Sequence, residues 1–208
     1  LRCAPNKANL SVHLDAVLEI QAKPMKIAIS GAVSTGKTTL GKALAESLDV
    51  TFIEENLGDI FVLPEGEKTG PQKRAEGFFR TLEAKREQEL TQQSFVVDRC
   101  PIDLLNFWFG ISLHRSVDSD EFLDRCVECL DDYDYLILMP YGVLPLEQKE
   151  NSPLSKRRMD KWAQLLGSCR IHGFARHYVP SKKIIEVPKE VLAQQERLAY
   201  VLGQIKKH

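Results

Sequence analysis

Residues 26–39 read KIAISGAVSTGKTT, and the fold follows from this stretch. KIAIS (26–30) is a short apolar run closed by Gly31, as a buried strand would be. From Thr38 onward Leu40, Leu44 and Leu48 recur at the four-residue spacing of one helix face. Between them GAVSTGKT, Gly31 to Thr38, fits the phosphate-loop pattern G-x-x-x-x-G-K-[ST] at every fixed position.

The chemistry explains the spacing. Gly31 and Gly36 permit backbone angles and close approaches that a Cβ would obstruct. The backbone N–H groups along Gly31, Ala32, Val33, Ser34, Thr35 and Gly36 are expected to form a nest for phosphate oxygens. That nest lies at the positive end of the helix that Lys37, Thr38 and Thr39 begin. Lys37 is expected to reach the β- and γ-phosphates and the Thr38 hydroxyl to ligate Mg²⁺. The expected ligand is ATP or GTP with magnesium.

Outward from the loop, apolar runs alternate with helical patterns. VTFIE (50–54) reads as a second strand, SFVVD (94–98) as a third, YLILM (135–139) as a fourth and KIIEV (183–187) as a fifth. A long helix is expected over 72–91, with Ala75, Phe78, Phe79 and Leu82 on one face. Pro101 suits the first turn of a helix carrying Leu104, Leu105, Phe107 and Trp108. Further helices are expected over 119–130, around Met159, Trp162, Leu165, Leu166 and Cys169, and from Pro188 through Val191, Leu192, Leu198 and Leu202. Strands alternating with helices require crossover connections, so the fold class is α/β: a three-layer α/β/α sandwich around a five-stranded, mostly parallel sheet.

Composition sets the partners. The 208 residues carry 28 Lys and Arg against 29 Asp and Glu, a net charge of −1, so no basic field points to nucleic acid. No apolar run approaches the roughly 20 residues of a membrane helix. Polar residues interrupt the N-terminal stretch where a signal peptide would need its apolar segment, so cytoplasm is the default expectation. Five dispersed cysteines argue against a disulfide framework, and the Cys126/Cys129 pair is expected to be ordinary thiols on a helix. Met25 directly precedes the first strand, so residues 1–24 are expected to be an upstream extension of a domain spanning 25–208. Leu10, Leu14, Val17 and Leu18 would make a short amphipathic helix there.

Other candidate residues cluster at strand ends, where open α/β sheets bind ligands. Asp98 ends the third strand, where an acid would hold magnesium, and Arg99 follows it. Glu54 and Glu55 end the second strand. Adjacent residues point to opposite faces, so one of the two is expected to act as base on an acceptor hydroxyl. Lys156, Arg157 and Arg158 form a basic run suited to a closing lid over transferring phosphate. Arg80, Lys85 and Arg86 on the long helix are weaker candidates for substrate contacts. Phe78, Phe79, Phe107 and Trp108 are either core or a surface on which a base stacks.

Together these residues resemble the P-loop nucleoside and nucleotide kinase superfamily. The nearest likeness is to the AAA-type ATPase family that contains the ribosylnicotinamide kinase domain of bacterial NAD-biosynthesis regulators. The resemblance runs from about Lys26 to Lys206. It rests on MKIAISGAVSTGKTTL, FIEEN, EAKREQEL, the D-R-x-P-x-D segment in VVDRCPIDLLNFW, YDYLILMP and the terminal IIEVP. It implies a five-stranded parallel sheet with the P-loop strand central and the Asp98 strand beside it. It also implies Glu54 or Glu55 as base, Asp98 with Arg99 at the reaction centre, and Arg157 or Arg158 as the lid arginine. The segment after strand four, PYGVLPLEQKENSPLSKRRMD, departs from an acidic D-G-x-R-like lid and leaves the acceptor open. Two functions are therefore expected to compete. One is a small-molecule kinase acting on a nucleoside-like hydroxyl; the other is a nucleotide-dependent regulatory or partner-binding NTPase with slow hydrolysis.

Overall fold

The computed structural model describes residues 24–54, 70–145 and 161–207. Its five strands are β1 (Lys26–Ser30), β2 (Thr51–Ile53), β3 (Phe95–Asp98), β4 (Tyr135–Leu138) and β5 (Ile184–Glu186). They lie in the order β2-β3-β1-β4-β5, and every neighbouring pair is parallel. The P-loop strand is central, with the Asp98 strand beside it. The helices are α1 (Lys37–Leu48), α2 (Pro71–Leu90), α3 (Pro101–Gly110), α4 (Asp120–Leu130), α5 (Lys161–Tyr178) and α6 (Gln194–Ile205).

The period of two along β1 assigns the two faces of the sheet. Ile27 and Ile29 pack with Leu40 and Leu44 of α1 and with Val201, Leu202 and Ile205 of α6. Ala28 faces the opposite way, with Val97, Ile102 and the α5 residues Ile171 and Ala175. Both faces are covered, which is why these strands read as unbroken apolar runs. A third cluster joins α2, α3 and α4 beside the sheet, around Phe78, Trp108 and Phe122. Trp108 stacks on Phe122 at 4.3 Å between ring centroids, and Phe78 meets Trp108 edge-on at 5.4 Å. Phe78 and Trp108 are therefore core, and neither presents a face to a ligand. Cys126 and Cys129 are free thiols buried in the same cluster.

Two elements depart from the sequence pattern. Helix α6 begins at Gln194, after Pro188 and Val191, because the Glu196 carboxylate caps the Ala193 N–H at 3.4 Å and sets the first turn there. In α5 the apolar residues Trp162 and Leu166 are 62% and 54% exposed, while Gln164, Gly167, Ser168, Ile171 and Ala175 face inward. That inner face borders polar groups of the P-loop and of α3, so polar and small residues fit it and a large apolar stripe does not. No helix among the described residues is long and apolar enough to cross a membrane. The N-terminal segment that includes Leu10, Leu14, Val17 and Leu18 lies outside the described residues.

Candidate nucleotide and phosphoryl-transfer site

Parallel pairing of β1 with β3 places Ile29 opposite Asp98, so the P-loop and the acidic strand end emerge side by side. The chain then turns sharply. A Cβ on Gly31 would meet the Met139 Cβ at 2.8 Å, so only glycine lets the loop leave β1 this close to the end of β4. Gly36 has φ of 86°, in the left-handed region that starts α1.

Four of the loop carbonyls accept hydrogen bonds from protein donors. The Ala32 carbonyl accepts from Thr35 Oγ1 at 2.9 Å and from Lys37 Nζ at 2.7 Å. The Val33 carbonyl accepts from Gln164 Nε2 of α5 at 2.8 Å, and the Thr35 carbonyl from Arg197 Nη1 of α6 at 3.1 Å. The Gly36 carbonyl takes the first helical bond from the Leu40 N–H at 3.0 Å. A trans peptide directs its C=O and N–H oppositely, so each carbonyl held by a donor also fixes the direction of the N–H that follows it.

The Thr38 hydroxyl donates directly to Asp98 Oδ2. Asp98 is 2% exposed, and its Oδ1 is buried without a hydrogen-bond partner. An orphaned carboxylate oxygen beside a threonine hydroxyl is a hard-oxygen donor set, which fits Mg²⁺. Among the described residues no group of three His, Cys, Asp or Glu could hold a metal unaided. A magnesium ion at this place would need phosphate oxygens to complete its shell.

Arg99 occupies φ of 67°, an uncommon conformation for a residue with a side chain. Its N–H donates to the Ile29 carbonyl at 2.9 Å, which ties the turn to the end of β1. Its Nη1 meets Asp103 Oδ1 at 3.1 Å, and the guanidinium lies over the Phe107 ring at 5.1 Å. Asp103 is fully buried and also accepts from the Cys100 N–H at 3.1 Å, forming the first turn of α3. Burial raises its carboxyl above the ordinary range, against the pull of the Arg99 and Lys37 charges. The D-R-x-P-x-D segment is therefore one unit in which Asp103 orients Arg99.

Behind the strand end, Lys85 Nζ reaches the Asp98 carbonyl at 3.5 Å and the Glu89 carboxylate at 3.6 Å. The Tyr133 hydroxyl donates to Glu89 at 2.8 Å. Lys85 thus braces the strand end that carries Asp98, while Arg80 and Arg86 lie exposed on α2.

Glu54 follows β2, one residue beyond the Ile53–Val97 pairing that precedes Asp98 on β3. It pairs at 2.5 Å with Lys42, one turn beyond Thr38 on α1, and that ammonium lowers its carboxyl below the ordinary range. Glu55, Lys156, Arg157 and Arg158 lie outside the described residues. Thr39 opens α1 next to Thr38, and its carbonyl accepts from Gln194 Nε2 at 3.4 Å. Sequence reasoning missed Gln164 and Arg197, whose acceptors lie 131 and 162 residues away along the chain.

A family model described as an AAA domain matches residues 26–186. Among solved structures, a deoxyadenosine kinase from M. mycoides with dCMP and dCDP bound superposes with a TM-score of 0.60 at 16% identity. That match covers 88% of this chain and 99% of the other. The NadR protein in complex with NR superposes with a TM-score of 0.60 at 14% identity, over 97% of this chain and 59% of that one. Thymidylate kinase from Ehrlichia chaffeensis gives 0.57 at 12% identity, over 88% of this chain and 99% of its own. These likenesses establish a shared P-loop kinase-like fold. Curated protein sequences gave no match. The family match takes in the phosphate loop, the Asp98–Arg99 strand end and all five strands, and the chain belongs to this AAA-domain family.

Proposed function

We propose that the protein is an ATP- or GTP-dependent phosphotransferase acting on the hydroxyl of a nucleoside-like small molecule. The observation that carries this reading is the Thr38–Asp98 contact with its orphaned Oδ1, beside the phosphate-loop motif and next to Arg99. The kinases among the solved relatives support the same reading at the level of the fold.

Each residue then has a defined task. The nest and Lys37 hold the phosphate chain, and Thr38 with Asp98 would hold Mg²⁺. Bound there, the ion would supply Lewis-acid neutralisation of the phosphate oxygens. Arg99, oriented by Asp103, stabilises charge that develops on the transferring group. An acceptor hydroxyl oxygen forms a bond to the γ-phosphorus as the bond to the β,γ-bridging oxygen breaks, and the nucleoside diphosphate leaves. The hydroxyl proton passes to a glutamate. Glu54 is engaged by Lys42, which lowers its basicity, and that contact favours Glu55 of the two as the acceptor of the proton. Arg157 or Arg158 closes over the phosphates as the lid.

The test is diphosphate release screened across nucleosides, nucleotides and nicotinamide riboside. Turnover is expected with one acceptor class. Glu55→Gln should lower kcat by about 10²-fold or more, and Glu54→Gln should change it only a few-fold. Uniform background hydrolysis with no acceptor stimulation overturns the kinase reading in favour of a nucleotide-dependent regulator. Equal losses from both variants overturn the assignment of the base.

A further inference from the structure

Arg197 belongs to the last helix and to none of the motifs that define the site, yet it is only 4% exposed and lies against the phosphate loop. Its Nε donates to the Val191 carbonyl at 2.9 Å, in the segment between β5 and α6. Its Nη1 donates to the Thr35 carbonyl at 3.1 Å. A Cβ on Gly36 would come within 3.1 Å of that same Nη1, so guanidinium and loop are in close contact. Nη2 is buried and finds no acceptor among the described residues. A buried cationic donor left unsatisfied is costly, so stability alone does not account for an arginine here.

The peptide that joins Thr35 to Gly36 gives the arginine a function. Its carbonyl and its N–H are fixed in opposite directions by the planar trans bond. A donor that pulls the Thr35 carbonyl outward therefore turns the Gly36 N–H into the loop, toward a phosphate oxygen. We propose that Arg197 is a positioning residue for the donor phosphates: it sets the Thr35–Gly36 peptide plane from outside the loop and ties it to the segment at Val191. This inference rests on the nucleotide-binding reading above. It makes a specific demand, because a peptide plane acts on phosphate and is blind to the base.

Arg197→Met keeps the aliphatic volume and removes every donor. Arg197→Lys keeps the charge but cannot serve two carbonyls from one planar fork. Affinities for Mg–ATP, Mg–GTP and magnesium tripolyphosphate are measured by calorimetry on both variants, on the native chain and on Lys37→Ala. For Arg197→Met the expected result is roughly ten- to hundredfold weaker binding, by the same factor for all three probes, as for one lost charge-assisted hydrogen bond. Arg197→Lys should fall between it and the native chain, and it carries the test alone should Arg197→Met not fold. The Gly36 amide resonance should shift in both variants. A purely structural arginine would lower the melting temperature equally with and without ligand and leave the affinities unchanged; that result overturns the inference. A loss confined to one base also overturns it, because the guanidinium would then be reading the base. Failure of the native chain to bind any of the three probes, indistinguishable from Lys37→Ala, overturns the nucleotide reading itself.

Discussion

Asp98→Asn separates the demands of folding from those of ligand binding, because the two should respond with opposite signs. In the free chain the Asp98 carboxylate is 2% exposed, one oxygen takes the Thr38 hydroxyl, and the other has no donor. An unsatisfied buried polar atom costs about 1–3 kcal/mol, more when charged. Asparagine still accepts from Thr38 through its amide oxygen but removes the charge, at the expense of burying an NH₂ group. The net effect on the free protein is a gain of up to about 1 kcal/mol, which for a chain of this size raises the melting temperature by about 2–4 °C. The loaded protein behaves otherwise. Mg–nucleotide at a hundred times its dissociation constant stabilises the native chain by about 2.7 kcal/mol, or about 5–11 °C. The variant offers magnesium a neutral oxygen and should lose most of that increment, while both proteins respond alike to nucleotide in EDTA. Thermal unfolding of both proteins in the four combinations of nucleotide and magnesium reads every term. A free variant destabilised by more than about 1 kcal/mol, with its magnesium-dependent increment intact, would show that Asp98 is a structural acid and refute the assignment.

Two further predictions concern the scaffold. Burial holds the Glu89 carboxyl above its ordinary value of 4.5, against the opposing pull of Lys85. The folded chain therefore keeps a proton that the unfolded chain has released, and the stability from this group is present below that value and lost as pH rises through the folded one. The urea midpoint of Glu89→Gln should exceed the native midpoint by a margin that grows with pH above about 4.5 and vanishes below it. A pH-independent offset counts against this account. Trp108→Ala removes a fully buried ring stacked on Phe122 and should cost about 3–5 kcal/mol in denaturant unfolding. A cost under about 1 kcal/mol would mean that the α2–α3–α4 cluster is not continuous core.

What could be read from sequence depended on whether the signal was local. KIAISGAVSTGKTT carries a strand, a loop and a helix start within one window, and the observed β1 and α1 follow it closely. Asp98 was legible because a buried run ends on a carboxylate, and Pro101 because its fixed φ suits a first helical turn. The choice between Glu54 and Glu55 was not legible. Strand parity says that the two diverge, and only the contact with Lys42 shows where the first one goes. The inward face of α5 was not legible either, because it meets a backbone carbonyl while Trp162 and Leu166 lie exposed. Gln164 is what such a surface requires. Gln164 and Arg197 left no pattern at all, since a donor to a distant carbonyl needs no particular partner residue.

That same fact bears on how the site is built. The Val33 carbonyl is held by α5, the Thr35 carbonyl by α6 and the Gly36 carbonyl by α1 itself, so three elements hold the loop. Donors oriented before the ligand arrives are worth more than donors that must reorganise, because their ordering cost is met during folding. The Ala32 carbonyl differs from the others. One of its donors is the Lys37 ammonium, the cation assigned to the β- and γ-phosphates. For Lys37 to serve the phosphates it must give up that contact or share it, while the Gln164 and Arg197 contacts have no reason to change. Thr35 Oγ1 also donates to the Ala32 carbonyl, so that oxygen stays satisfied when the lysine turns away. Three of the loop carbonyls are thus held by donors with no proposed role toward phosphate, and release of the fourth by Lys37 would leave no acceptor unpaired. On the proposed reading the affinity for phosphate draws on α5 and α6 as well as on the motif, although neither helix contributes a residue to it.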